Sequence, residues 1–136
     1  MASAAIRWVS GQTFIGTDST KHSVVLSSVA DGVGMKPSEL MLVALCSCSA
    51  VDVVDILAKK RLTLTGLDVS ASAEQDSDPP WTFRKIHLIY KLRGKDLNEK
   101  AVEQAVSLSE EKYCSVAATI RGKAEITYSF EFSNEA

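Results

Sequence analysis

The stretch Pro37-Ser38-Glu39-Leu40-Met41-Leu42-Val43-Ala44-Leu45-Cys46-Ser47-Cys48-Ser49-Ala50-Val51-Asp52-Val53-Val54-Asp55-Ile56-Leu57-Ala58-Lys59-Lys60 decides the fold. Pro37 suits a first helical turn, where its missing N–H would have no partner anyway, and Ser38 and Glu39 put polar and negative groups at the positive end of the helix dipole. Lys59, Lys60 and Arg61 close the helix with cations at its negative end. Between Leu40 and Ala58 almost every face is apolar or small, and a helix apolar all round is normally buried, so the stretch reads as the centre of the core. A run of ~20 apolar residues would also span a bilayer, but Asp52 and Asp55 fall inside this one and would be costly there. A core helix is the better reading.

Working outward, Ile6 to Leu26 mixes β-branched and aromatic residues with breaks at Gly11, Gly16 and Asp18, which predicts two or three short strands in a small meander. Val29 to Lys36, with Gly32 and Gly34, lacks periodicity and reads as the loop that enters the helix. Beyond the helix, Leu64 to Ala73 and Thr82 to Leu92 alternate like half-buried strands and predict a long hairpin across the acidic, proline-containing loop Glu74 to Pro80. Asp96 to Glu111 has the spacing of an amphipathic helix, with Leu97, Ala101, Val102, Ala105 and Leu108 on one face. Ser115 to Ile120 fits a short helical turn. Ala124 to Phe132 alternates as a final strand, with Ile126, Tyr128, Phe130 and Phe132 on one side. A single domain over residues 1–136 is expected, with the long helix at its core.

Composition sets outer limits on function. The chain has 136 residues, 46% apolar and 24% charged, which suits a folded domain and argues against global disorder. A net charge of −2 offers no broad attraction to phosphate backbones or anionic lipid, so neither nucleic acid nor membrane is an expected partner. Met1 to Ser10 carries no sustained apolar run before a small-residue cleavage site, so no signal peptide is expected and the cytoplasm is the expected location.

The three cysteines carry the chemistry worth weighing. Cys46 and Cys48 lie about 200° apart on a helix, so they face opposite sides and cannot form an unstrained disulfide; Cys46 reads as packing. Cys48 has small neighbours in Ser47, Ser49 and Ala50, which leaves room for a ligand or a second helix. A free cysteine is more often a small core hydrophobe than a nucleophile, and only a stabilised, reachable thiolate changes that. Cys114 precedes a helical turn starting near Ser115, whose dipole would favour a thiolate there. No metal or other cofactor is expected, because Cys46 and Cys48 face apart and cannot converge on zinc with Cys114, His22 or His87. The two histidines are assigned no role.

Pro37-Ser38-Glu39-Leu40, followed by Cys48-Ser49-Ala50-Val51-Asp52-Val53-Val54 and later by Glu111-Lys112-Tyr113-Cys114-Ser115-Val116, resembles the OsmC/Ohr family of osmotically inducible and organic hydroperoxide resistance proteins, in its divergent OsmC-like branch. The resemblance covers most of the chain. It implies an α+β fold, an intertwined homodimer in which antiparallel sheets wrap two long buried central helices, with active sites at the interface. It implies that Cys48 attacks an organic hydroperoxide, that Cys114 resolves the resulting sulfenic acid to a disulfide, and that a thiol such as a dihydrolipoyl group restores the pair. The family's peroxidases place a glutamate directly after the proline, where Ser38 stands here, and an arginine from the N-terminal region on the thiolate. Here Glu39 is the candidate acid, nine residues before Cys48 and so about 180° around a regular helix. Between Ile15 and Ser28 there is Lys21 and His22 but no arginine, which leaves Arg7 and Arg121 as candidates. The rival function is binding of a small apolar ligand at the same interface with little or no turnover; a third reading is a structural dimer with inert thiols.

Overall fold

The computed structural model describes residues 1–136. Its contacts divide the chain into Met1–Leu42 and Val43–Ala136.

In the first unit, β1 (Ala4–Ser10), β2 (Thr13–Asp18) and β3 (Ser23–Ser27) form an antiparallel meander in the order β1-β2-β3. Asp31 reaches back to the β1–β2 turn, accepting from the Gln12 N–H at 2.8 Å and from the Thr13 hydroxyl at 2.9 Å. The loop after β3 needs its glycines. Gly32 has φ +63°, and a Cβ on Gly34 would stand 2.8 Å from the Val25 carbonyl oxygen, so the chain passes too close to β3 for any side chain there. That passage pairs Met35 with Leu26 and brings Pro37 to the start of the long helix.

The helix α1 (Pro37–Lys59) forms as the opening stretch predicts. Its burial differs from expectation. Within the chain only Leu45, Ser49, Val53 and Leu57 are fully enclosed, a stripe at four-residue spacing. Each of the three apolar members contributes ~1.5–3 kcal/mol by leaving water. Val43, Val51 and Val54 are exposed, at 46%, 68% and 49%. One chain covers one face of a helix that is apolar on all of them. α1 is long and apolar enough to cross a membrane by length and composition, yet Asp52 accepts from the Ser109 hydroxyl at 3.0 Å and Asp55 pairs with Lys59 at 2.9 Å.

In the second unit β4 (Thr63–Gln75) and β5 (Phe83–Lys95) form the expected hairpin, each longer than its alternating core. β6 (Glu125–Asn134) lies beside β5, giving the order β4-β5-β6. This pairing is parallel, whereas antiparallel sheets were expected. The connection explains it: β6 returns after two helical segments rather than a tight turn, as a parallel pair requires. Ile86, Leu88, Tyr90 and Leu92 alternate onto the buried face of β5.

α2 (Glu99–Leu108) is shorter than the Asp96–Glu111 expected. Asn98 caps it, its side chain accepting from the Ala101 N–H at 2.9 Å. After Leu108 the helix widens into one π-helical turn, Ser109–Tyr113, closed by the Cys114 N–H donating to the Ser109 carbonyl at 2.8 Å. α3 (Ser115–Ile120) comes directly after it, with Cys114 as its N-cap.

Candidate active site

The fold brings together two of the sequence-predicted site residues. Cys48 comes from the middle of α1 and Cys114 from the junction of the π turn and α3, and both sulfurs meet the first turn of α3, Cys48 at the Ser115 hydroxyl and Cys114 at the Ala117 N–H. The π turn explains the placement, since an extra residue in a helix re-aims the side chains beyond it and such bulges gather at functional sites. Cys48 is half-buried and Cys114 buried, and both are free thiols.

The donors around Cys48 come from the start of α3. Its Sγ lies 3.9 Å from the Ser115 hydroxyl. Burial acts to raise the Cys48 pKa, but hydrogen bonds from the Val116 N–H, the Cys114 thiol and the Ser115 hydroxyl and N–H outweigh it. The result is a thiol below its ordinary range, lowered by donors rather than by a cation.

Cys114 corrects a sequence expectation. It caps α3 as foreseen, accepting from the Ala117 N–H at 3.4 Å, yet it is not the thiolate of the pair. Burial pushes it up to about 12; the Ala117 N–H opposes this, and Cys48 and the Glu110 charge add to it. The remaining N–H groups of the α3 start serve Cys48 instead. Cys46, also half-buried, is raised by burial and by Glu110, which fits its reading as packing.

Glu39 sits exposed in the first turn of α1 and pairs with Lys36 at 3.4 Å. Arg7 is in β1, opposite Ile15. Arg121 donates to the Glu110 carbonyl at 2.6 Å, so it serves the segment before Cys114 rather than a sulfur. His22 meets Thr20 at 2.8 Å, and His87 bridges Thr127 and Ser129 at 2.7 and 3.1 Å, both ordinary polar partnerships.

A buried polar cluster beside the thiols was not foreseen. The Ser49 hydroxyl is hydrogen-bonded to Tyr90 and, at 3.0 Å, to Ser109, while Tyr90 donates to Glu110. Ser49, Ser109 and Glu110 are all enclosed. A signal was available for Glu110: it continues the four-residue spacing of Val102 and Val106, so a carboxylate occupies a core position.

A half-buried cysteine on α1 beside a buried cysteine at the start of α3, in an α+β chain with two three-stranded sheets, is the arrangement to be compared with known proteins. Residues 30–129 match the family model for OsmC-like protein. Protein YhfA of Escherichia coli (strain K12) is 38% identical over 128 residues, covering 94% of this chain and 96% of that one. The chain therefore belongs to the OsmC-like family. A hypothetical protein from Aquifex aeolicus VF5 superposes with a TM-score of 0.90 at 32% identity, covering 100% of this chain and 98% of that one. The organic hydroperoxide resistance protein OhrB of Bacillus subtilis shares the fold, with a TM-score of 0.63 at 15% identity over 96% of this chain and 98% of that one.

Proposed function

We propose that the protein is a thiol-dependent reductase of organic hydroperoxides. The observation that carries this reading is the Cys48 sulfur, half-buried and 3.9 Å from the Ser115 hydroxyl at the start of α3 next to Cys114, where hydrogen-bond donors lower its pKa. In the first step the Cys48 thiolate attacks the distal peroxide oxygen. The O–O bond breaks, Cys48 is oxidised to sulfenic acid, and the organic alkoxide takes up a proton and leaves as an alcohol. Cys114 then bonds to the Cys48 sulfur, displacing the sulfenic oxygen as water and leaving a disulfide. A dithiol of the dihydrolipoyl type reduces it by exchange.

A second copy of the chain completes this reading. The exposed valines of α1 form an apolar face on the helix that carries Cys48, and a partner's helix would cover it and give the site an apolar wall. Such a wall favours lipophilic hydroperoxides over hydrogen peroxide.

Steady-state turnover with cumene hydroperoxide and with hydrogen peroxide, using dihydrolipoamide as reductant, tests the proposal. Faster turnover of the organic peroxide supports it, and no rate above background for either removes it. The second reading, an apolar-ligand binder of little turnover, draws on Ser38 standing after the proline and on Glu39 being engaged with Lys36. Saturable binding of an apolar fluorophore without peroxide turnover favours that reading.

A further inference from the structure

The backbone register ahead of Cys114 is one residue wider than that of an α-helix. In a regular helix the Cys114 N–H would donate to the carbonyl four residues back, at Glu110. Here it donates five residues back, to the Ser109 carbonyl at 2.8 Å. The Glu110 carbonyl that this shift releases accepts from the Arg121 guanidinium at 2.6 Å, so the freed acceptor keeps a partner.

The residue that accepts from Cys114 is itself anchored on α1. The Ser109 hydroxyl donates to the Asp52 carboxylate at 3.0 Å and is hydrogen-bonded at 3.0 Å to the hydroxyl of Ser49, which follows Cys48 in the chain. Ser49 and Ser109 are both fully enclosed, and Ser49 is also hydrogen-bonded to Tyr90 of β5. A buried hydroxyl stripped of its partners costs ~1–3 kcal/mol, so the cluster holds Ser109 to one position on α1. At the other end of the π turn both sulfurs meet the first turn of α3. Cys48 lies 3.9 Å from the Ser115 hydroxyl, and Cys114 accepts from the Ala117 N–H at 3.4 Å.

We propose that Ser109 is a positioning residue for the thiol pair: its hydroxyl, anchored on α1 beside Cys48, holds the five-residue register that delivers Cys114 to the turn of α3 that Cys48 also meets. This rests on the reading of Cys48 and Cys114 as one redox pair and names what sets their alignment. Without the anchor the segment is free to return to the four-residue register, which turns the chain that follows by about 100° and shifts it ~1.5 Å along the axis. A disulfide drawn from outside its preferred geometry is strained and more easily reduced.

The redox equilibrium of the full-length protein with glutathione tests this without peroxide. Protein dithiol and oxidised glutathione give the protein disulfide and two reduced glutathiones: the Cys48 and Cys114 sulfurs are oxidised, the glutathione S–S bond is reduced, and the two thiol protons pass to the departing glutathiones. Acid quenching, alkylation and peptide mass spectrometry measure the Cys48–Cys114 disulfide at each glutathione ratio. Ser109→Thr and Ser109→Val add nearly the same volume at an enclosed site and share its packing cost, so they differ in the hydroxyl. Ser109→Thr should hold the equilibrium constant within about threefold of the unmodified protein, and Ser109→Val should lower it about tenfold or more, ~30 mV. Ser49→Ala, which removes the partner on α1 and adds no volume, should lower it in the same direction and carries the test if the larger side chains prevent folding. Equal constants for Ser109→Thr and Ser109→Val, or a Ser49→Ala constant equal to that of the unmodified protein, would overturn the proposal. So would failure of the unmodified protein to form the Cys48–Cys114 disulfide. A hydroxyl that served stability alone would lower the urea midpoint of Ser109→Val and leave its redox constant in place, which also counts against the proposal. Peroxide turnover is measured separately: the predicted redox constants in a protein that consumes no hydroperoxide would support the alignment and remove the reductase reading.

Discussion

At the scale of single residues, the two cysteines are shifted in opposite directions. Cys48 is below the ordinary thiol range because its donors outweigh its burial, and Cys114 is pushed up to about 12 because its burial and its charged neighbours outweigh its one donor. These directions fix the sign of the pH dependence. Thiolate is the reactive form, so Cys48 alkylation should rise with pH and level off below the pH at which an ordinary thiol does, with Cys114 still protonated there. Stopped-flow alkylation of Cys114→Ser and Cys48→Ser proteins checks this separately for each sulfur. Cys48→Ser should reduce hydroperoxide consumption to background. Cys114→Ser should consume one equivalent and stop, with sulfenic acid on Cys48 detectable by dimedone adduct formation. The meeting of Cys48 and Cys114 near the start of α3 is where the two motif blocks come together. That the two thiols are shifted in opposite directions was not legible, because it depends on burial and on α1 meeting the start of α3 across elements distant in the chain.

Among the elements, α1 was the most legible, since its bounds are set by Pro37 at one end and the Lys59 to Arg61 cations at the other. Its one-sided burial was not, because apolar content records what a helix can bury and not which molecule buries it. The second helix was legible in type but not in its end. Ser109–Tyr113 keeps a helical composition, and the change to a π turn is fixed by Ser109 and Glu110 bonding to α1 and β5. Two substitutions probe these elements. Asn98→Ala should lower stability by about 1 kcal/mol through loss of the α2 cap, read from the urea midpoint. Leu57→Ala, in the enclosed stripe of α1, should cost ~2–5 kcal/mol by the same measurement.

For the whole molecule, the α+β class was legible from the order of periodic segments, and the OsmC-like family from two motif blocks that the family match bears out. Parallel pairing of β5 with β6 was not legible, because alternation marks a strand without naming its neighbour or direction. The proposed homodimer makes a prediction at this scale. Sedimentation equilibrium should give twice the chain mass of 14.7 kDa. Val51→Asp, at the most exposed valine of α1, should shift the protein toward the single-chain mass or leave it insoluble. A single-chain mass in the unmodified protein would leave the valine face unexplained and remove the partner from the site.

The most direct test of the central claim, that these two sulfurs form one redox unit, is peptide mapping of the reduced protein after one equivalent of cumene hydroperoxide. The two-cysteine mechanism predicts a disulfide joining the Cys48 and Cys114 peptides, with Cys46 still free. Recovery of all three thiols unchanged, or of a disulfide that includes Cys46, would contradict it.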